Sequence, residues 1–197
     1  ENKENIFYIF FTSDLLYVFL KCLSFIPETV NIVCIASNLR EEEKKWLASN
    51  VKQDVFLIDE LCDDRDIWEI LFATNQNSFG WLDVDCFVYS PEIFKEIIFI
   101  PDDVSMNVVW TYKDPRSGHQ FLNTFFVFIN MDVLNKVREK YPQISPRTYI
   151  YSGDRMPFFT RSNIFDDDLL KIIRDIFPDG KYTGNLAFLD TLFMYQL

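Results

Sequence analysis

The stretch Phe79-Gly80-Trp81-Leu82-Asp83-Val84-Asp85-Cys86-Phe87-Val88 is apolar except for two carboxylates one residue apart. Burying like charges among large apolar side chains is costly unless a cation or a water-filled cleft compensates them. Mg²⁺ and Mn²⁺ bind one or two carboxylates together with the oxygens of a substrate diphosphate. The stretch therefore predicts a strand over residues 81–84 that delivers Asp83 and Asp85 to a divalent cation. The alternative is an ordinary solvated face.

Two other Asp-x-Asp pairs occur in the chain, at Asp64/Asp66 and at Asp166/Asp168. Both precede helical patterns, where acidic residues interact favourably with the helix dipole. Only the pair at residues 83 and 85 is surrounded by large apolar residues. Context therefore favours that pair as the functional one.

The composition predicts one globular domain over residues 1–197, with 49% hydrophobic residues, 21 Phe and a net charge of −11. A strongly acidic chain has no general affinity for nucleic acid or for an anionic membrane. No apolar run reaches the roughly 18 residues of a membrane span. Any bound phosphate should therefore be held locally, by a metal ion and a few cationic side chains.

The cysteines are scattered through the chain without a Cys-x-x-Cys pair, at Cys22, Cys34, Cys62 and Cys86. Their mostly apolar neighbours predict free thiols in a reducing compartment, with disulfides as the alternative. The polar first residues do not resemble a signal peptide. Together these features predict a cytoplasmic protein.

Strand-like and helix-like segments alternate along the first half of the chain. The pattern predicts strands at residues 6–11, 31–36, 54–58 and 81–84, and helices at 15–25, 41–48 and 66–73. In the helix at 41–48, both Trp46 and Leu47 are expected on the inner face. Such alternation predicts an α/β fold, with a mostly parallel sheet flanked by helices on both faces.

Polar residues follow three of the predicted strands. In a parallel sheet, ligands bind where the carboxyl ends of the strands meet, so these residues should line one edge. They are Thr12, Ser13 and Asp14, then Asp59 and Glu60, then Asp83 and Asp85.

The second half of the chain is less regular. Strands are predicted at 105–112 and 124–129, and a helix at 131–141 whose start is capped by Asn130 or Asp132. Residues 142–165 predict a long loop that carries Arg147, Arg155 and Arg161. These arginines would contact a leaving phosphate or an anionic acceptor. The alternative is that they are ordinary surface charges. Residues 189–197 form a helical pattern without a stop signal, so we expect the chain to continue beyond Leu197.

Over residues 5–141 the order of these segments resembles the GT-A fold of nucleotide-sugar-dependent glycosyltransferases. One motif is the Asp-x-Asp pair in Leu82-Asp83-Val84-Asp85. The other is Asn123-Thr124-Phe125-Phe126-Val127-Phe128-Ile129-Asn130, which is similar to the Asn-Thr-Gly-apolar-Asn strand of many such enzymes. The resemblance implies a GT-A-like, Rossmann-like α/β domain that binds a nucleotide diphosphate sugar.

The resemblance also implies roles for individual residues. Asp85 would hold Mn²⁺ or Mg²⁺ on the donor diphosphate, and Asp83 would contribute more indirectly, through the ribose or the metal. Thr12, Ser13 and Asp14 would lie near the base and ribose with Asp59 beside them, Arg65 would reach the sugar or phosphate, and Asn123 and Thr124 would lie beside the transferred sugar.

The chain departs from the family pattern at two places. Phe125 stands where the family often has Gly, which affects the acceptor side of the site. The late His or Asp that commonly completes the metal shell has no clear counterpart, because His119, the only histidine, precedes the Asn-Thr strand. Asp190 is the expected substitute, unless the ligand lies beyond Leu197. His119 is either a base or ligand on its loop or a surface residue.

We therefore expect a metal-dependent glycosyltransferase that moves a hexose-type sugar from a nucleotide diphosphate donor to an unknown acceptor. The alternative is a non-catalytic carbohydrate-binding or interaction domain on the same scaffold. Sugar-1-phosphate nucleotidyl transfer ranks third, because no Gly-rich phosphate loop bearing Lys or Arg follows the first strand.

Overall fold

The computed structural model of the chain describes residues 5–113 and 120–142. Its strands are β1 (Ile6–Thr12), β2 (Asn31–Ser37), β3 (Asp54–Ile58), β4 (Phe79–Leu82), β5 (Met106–Val108), β6 (Thr111–Lys113), β7 (Gln120–Leu122) and β8 (Phe126–Ile129). Its helices are α1 (Leu16–Leu23), α2 (Glu41–Asn50), α3 (Asp64–Thr74), α4 (Ile93–Glu96) and α5 (Met131–Lys140), and a 3-10 turn (Ser13–Leu15) precedes α1.

Six strands form the main sheet in the order β3-β2-β1-β4-β8-β5. The first four are mutually parallel, whereas β8 runs antiparallel to both of its neighbours, β4 and β5. The predicted α/β class with a mostly parallel sheet is therefore confirmed. Because the parallel strands share one direction, their carboxyl ends lie along a single edge, which we call the carboxyl edge.

Alternation along the central strands divides the core into two layers. On one face, Trp81 of β4 and Val127 of β8 pack with buried residues of α3 and α5. On the other face, Phe7 of β1 and Leu82 of β4 pack with buried residues of α1, α2 and α4. Helices thus cover both faces of the sheet, as the sequence predicts.

Several predicted boundaries are wrong. β4 begins at Phe79 and ends at Leu82, so Asp83 follows the strand instead of lying within it. The strand predicted over 105–112 is two strands, and the second of them, β6, forms a separate hairpin with β7. The strand predicted to begin at Thr124 begins at Phe126, because residues 123–125 form a turn before β8. The sequence did not predict β7 or the short helix α4.

Side-chain caps begin two helices: α5 at a residue predicted as its cap, and α3 at a residue that the sequence analysis did not name. Helix α3 starts two residues before its predicted start. Asn130 caps α5, because its side-chain Oδ1 accepts from the backbone N–H groups of Asp132 at 3.2 Å and Val133 at 3.4 Å. Asp63 caps α3 in the same way through the N–H of Asp66 at 3.0 Å, so Asp64 and Asp66 do belong to a first helical turn. On α2, Leu47 is buried as predicted but Trp46 is 43% exposed, which corrects its predicted inner position.

All four cysteines are free, and Cys22 and Cys34 are buried. This agrees with the prediction of free thiols. Across the two described ranges, no helix is both long enough and apolar enough to cross a membrane. The predictions for His119, for Arg147, Arg155 and Arg161, and for Asp190 and the helix at 189–197 lie outside the described residues.

Gly80 provides a test of how tightly β4 packs. A Cβ added there would lie 2.0 Å from Cδ1 of Phe7, the residue opposite it on β1. The Phe7 ring is confined by Phe94, Phe126 and Phe128, whose centroids lie 5.3, 6.0 and 5.6 Å away. We expect Gly80→Ala to lower the free energy of unfolding by about 2–3 kcal/mol, measured by urea denaturation.

Phe7→Leu supplies the matched control, because it frees space beside Gly80. Phe7→Leu with Gly80→Ala should cost less than the sum of the two single changes. Additive losses would show that overpacking at this pair is not the cause.

Candidate active site

Asp83 lies at the carboxyl end of β4 and is held by both its backbone and its side chain. Its backbone N–H donates to the carbonyl oxygen of Phe125 at 2.7 Å, which extends the contact between β4 and β8 by one residue. Its carboxylate Oδ1 accepts from the indole Nε1 of Trp81 at 2.6 Å. The Asp83 side chain is partly exposed and reaches the carboxyl edge in a fixed orientation.

Asp85 lies on the turn that follows β4. The turn is closed by a hydrogen bond from the Cys86 backbone N–H to the Asp83 carbonyl oxygen at 2.9 Å. Val84, between the two acids, is buried and belongs to the core cluster around Leu82. Asp85 itself is exposed. The chain thus buries the valine and leaves the acids at the surface, which avoids the cost of burying two like charges.

The negative charges of both carboxylates raise the pKa of two nearby cysteine thiols, Cys86 and Cys22. Burial, foremost, and then the negative charges of Asp83 and Asp85 raise the pKa of Cys86 to about 11. Burial is also the main cause that raises the pKa of Cys22 to about 12, and its Sγ donates to the Cys86 carbonyl oxygen at 3.4 Å. Burial and the two carboxylates thus disfavour the thiolate forms of Cys86 and Cys22.

The chemistry of the pair suits a hard divalent cation. Two carboxylates on one turn provide the oxygen ligands that Mg²⁺ and Mn²⁺ take from a protein when substrate phosphates and water complete the shell. Among the described residues, no group of three or more His, Cys, Asp or Glu side chains could hold a metal ion. The further ligands considered from the sequence, His119 and Asp190, lie outside the described residues.

The segment with Asn123 and Thr124 lies next to Asp83. Because Leu82 of β4 pairs with Phe126 of β8, the residues before β8 face the residues after β4. Asn123 stabilises its own turn, since its Oδ1 accepts from the Phe125 N–H at 3.2 Å. Thr124 is buried. The two motifs that carried the resemblance are thus neighbours in space.

The end of β1 carries the next group of predicted residues. Thr12 is its last residue, and Ser13 and Asp14 form the 3-10 turn that follows. The Ser13 hydroxyl lies 2.8 Å from both carboxylate oxygens of Glu43, on α2, and donates to them. Ser13, predicted to contact the nucleotide, therefore also ties β1 to α2. Asp14 is exposed.

Glu43 is a buried acid at this edge that the sequence analysis missed. Its Oε1 accepts from Arg40 Nη2 at 2.6 Å, and its Oε2 accepts from the Arg40 backbone N–H at 2.8 Å. Arg40, foremost, and then the Ser13 hydroxyl lower the pKa of Glu43 to about 2. The signal was the three-residue spacing from Arg40 to Glu43, because an acid at the third helical position can bond back to the capping backbone.

Asp59 and Arg65 also lie toward the carboxyl edge, near the outer strand β3. The Asp59 carboxylate lies 2.7 Å from Lys44 Nζ of α2, and this bond lowers the pKa of the carboxyl. Arg65, in the first turn of α3, donates to Asp63 Oδ2 through Nη2 at 2.6 Å. Since β2 and β1 separate β3 from β4, and neighbouring strands are about 4.8 Å apart, β3 and β4 are offset by about 14 Å. The predicted residues therefore share an edge but form two groups along it.

Residues 1–134 match the family described as the StrH glycosyltransferase N-terminal domain. The chain belongs to this family. The resemblance to glycosyltransferases drawn from the sequence agrees with this result.

A curated relative is the dTDP-dihydrostreptose--streptidine-6-phosphate dihydrostreptosyltransferase of Streptomyces griseus, which is 37% identical over 90 residues. The match covers 45% of this chain and 23% of the relative. The chain thus aligns with about a quarter of that relative's length.

Solved structures with a similar arrangement include glycosyltransferases. The galactosyltransferase LgtC in complex with donor and acceptor sugar analogs has a TM-score of 0.48 at 10% identity, covering 71% of this chain and 66% of that one. The mannosyltransferase PcManGT of Pyrobaculum calidifontis, in complex with GDP-Man and Mn²⁺, has a TM-score of 0.46 at 11% identity. That match covers 68% of this chain and 46% of the mannosyltransferase. Each of these similarities is distant.

The Glu43 contacts predict a pH-dependent contribution to stability. Because the pKa is about 2 in the folded protein against an ordinary 4.5, the contribution is complete above about pH 4.5 and is lost as the pH falls toward 2. A shift of this size corresponds to about 3 kcal/mol without screening. Solvent around the exposed Arg40 reduces it to about 1 kcal/mol. We expect Glu43→Gln to lower the free energy of unfolding by about that amount at pH 7.

The measurement is urea denaturation of both proteins between pH 7 and pH 2, where the two stabilities should converge. Glu42→Gln is the control, because Glu42 is exposed and its contact with Arg40 is a looser 3.7 Å. A difference between wild type and Glu43→Gln that stays constant down to pH 2 would contradict the assignment.

Proposed function

We propose that this chain carries the donor site of a metal-dependent glycosyltransferase that moves a sugar from a nucleotide diphosphate donor to an acceptor hydroxyl. The observation that carries the proposal is the contact between Asp83 and the turn before β8. That contact brings the Asp-x-Asp pair and the Asn123-Thr124 segment together at the carboxyl edge. Ligands of parallel α/β sheets bind at this edge.

Membership in the glycosyltransferase family supports the type of reaction. The streptomycete relative is named for a dTDP-linked sugar. We therefore propose a deoxythymidine diphosphate sugar as the first donor to test. UDP provides the comparison, since it differs from dTDP in the base methyl group and in the ribose 2′-hydroxyl.

The proposed chemistry is displacement of the diphosphate from the anomeric carbon of the sugar. Negative charge develops on the departing diphosphate, and a bound Mg²⁺ or Mn²⁺ would neutralise it. Asp83 and Asp85 would hold that ion with one or both carboxylates. Their fixed positions after β4 would let the site form without rearranging the backbone.

The other residues would orient the donor. Arg65 would contact the phosphate or sugar, with its guanidinium already oriented by Asp63. Thr12, Ser13 and Asp14 would lie near the base and ribose, with Asp59 beside them. Asn123 and Thr124 would contact the transferred sugar from the opposite side of Asp83.

The first test measures binding of dTDP by calorimetry, with Mn²⁺ and with a chelator. We expect at least tenfold tighter binding with Mn²⁺, because phosphate oxygens complete a shell that two carboxylates alone fill poorly. Asp85→Asn should remove most of this difference. The melting temperature should change little, since Asp85 is exposed.

The matched control is the double change Asp102→Asn with Asp103→Asn. It removes two exposed negative charges before β5, at the opposite end of the sheet. It should leave the Mn²⁺-dependent difference unchanged. Equal dTDP affinity with metal and with chelator in the wild-type protein would contradict the metal role. Absence of dTDP binding by the wild-type protein, both with Mn²⁺ and with chelator, would favour a non-catalytic domain.

A second test concerns the donor contact of Arg65. Arg65→Gln should weaken dTDP binding about threefold to tenfold both with and without Mn²⁺, because the guanidinium contact does not require the ion. Lys95→Gln, on α4, removes the same charge away from the carboxyl edge and should have no effect. A weakening by Arg65→Gln that occurs only in the presence of Mn²⁺ would contradict an independent contact.

A further inference from the structure

Trp81 is a buried residue whose polar group is directed at the proposed metal site. The side chain is 3% exposed, and its indole has a single N–H group. That group donates to Asp83 Oδ1 at 2.6 Å. A hydrogen bond to an ionised carboxylate is shorter and stronger than one between neutral groups. This bond therefore constrains the carboxylate as well as satisfying the buried indole.

The indole is itself immobilised by its neighbours. Its ring lies 4.5 Å from the ring of Trp68 on α3, at an interplanar angle of 33°. Trp68 is fully buried and also packs against Phe72 and Phe79. A ring held this way cannot follow the movement of a surface carboxylate. The hydrogen bond to this fixed ring therefore restricts the positions open to the Asp83 carboxylate.

We propose that Trp81 is a positioning residue, which fixes the Asp83 carboxylate in the orientation that binds the metal–diphosphate complex. This inference rests on the proposed function. The residues that hold a metal ligand in place tune affinity, because a ligand with free torsions loses entropy when the ion binds. Because the hydrogen bond from Trp81 already restricts the Asp83 side chain, less conformational entropy is lost when the ion binds. Its effect is confined to metal-dependent binding, since it acts on the nucleotide only through Asp83.

Helix α3 carries both Trp68, which packs against Trp81, and Arg65. Trp68 lies three residues after Arg65 on α3, so the two side chains project from neighbouring positions of one helix. The same turn of helix thus supports the Trp81–Asp83 contact and carries the proposed phosphate contact of Arg65. The two groups of predicted residues on the carboxyl edge are connected through the aromatic core below it.

The test compares Trp81→Phe with Trp68→Phe. Both changes remove an indole from the same aromatic cluster, but only the first removes the donor to Asp83. With dTDP as the probe, Trp81→Phe should weaken binding in Mn²⁺ about tenfold and leave binding in chelator unchanged. Trp68→Phe keeps the Trp81 donor, so it should weaken binding in Mn²⁺ clearly less than Trp81→Phe does, although its melting temperature falls. Equal effects of the two changes on Mn²⁺-dependent binding would overturn the positioning role.

A second measurement does not require Trp81→Phe to fold. In a ¹H–¹⁵N spectrum of the wild-type protein, the Trp81 indole N–H should resonate downfield of an indole that donates to water. Asp83→Asn replaces the charged acceptor and should move this signal upfield, while the indole signal of the exposed Trp46 stays in place. An unmoved Trp81 signal would overturn the inference.

The two proposals fail differently. If wild-type protein binds dTDP equally well with Mn²⁺ and with chelator, the proposed function is wrong and the positioning role falls with it. If wild-type binding depends on Mn²⁺ but Trp81→Phe behaves like Trp68→Phe, only the positioning role is wrong.

Discussion

The pairing of β4 between β1 and β8 is the constraint on which the rest of the structure depends. This four-residue strand is parallel to one neighbour and antiparallel to the other. The antiparallel pairing continues past its end, where the Asp83 N–H bonds to the Phe125 carbonyl at 2.7 Å. Gly80 lets the strand lie against the Phe7 ring, so the position of β4 is fixed by backbone bonds and close packing together. The positions of Asp83 and Asp85 follow from where this strand ends.

The acids at the carboxyl edge are held in different ways, and the difference follows from what surrounds them. Glu43 is bonded by Arg40 and Ser13, and Asp59 by Lys44, so each has a role in joining α2 to the sheet. Asp83 accepts a hydrogen bond from the indole of Trp81, and Asp85 is exposed on a turn. Glu43 and Asp59 contribute through their contacts mainly to the fold.

The sequence predicted the order of strands and helices over residues 6–82 well, because apolar periodicity and capping residues are local signals. It was wrong where the structure of a segment depended on a pairing strand or a packing surface elsewhere in the chain. Residues 105–112 contain enough apolar residues for one strand, yet only Met106–Val108 find a pairing partner in β8, and the chain then turns into a hairpin. Trp46 and Leu47 are equally apolar neighbours on α2, and only packing against the sheet selected Leu47 for burial.

For the candidate site, the sequence by itself determined which chemical groups are available. The two carboxylates in an apolar stretch and the Asn-Thr segment were recognisable from residue type and spacing, since carboxylates are uncommon in such surroundings. Tertiary structure decided what holds them and which residues lie together. The bond from Trp81 to Asp83, the Ser13–Glu43 contact and the approach of Phe125 to Asp83 link residues whose separations follow no fixed pattern. Strand order and side-chain direction create these contacts, and both are properties of the folded sheet, which no local stretch of sequence encodes.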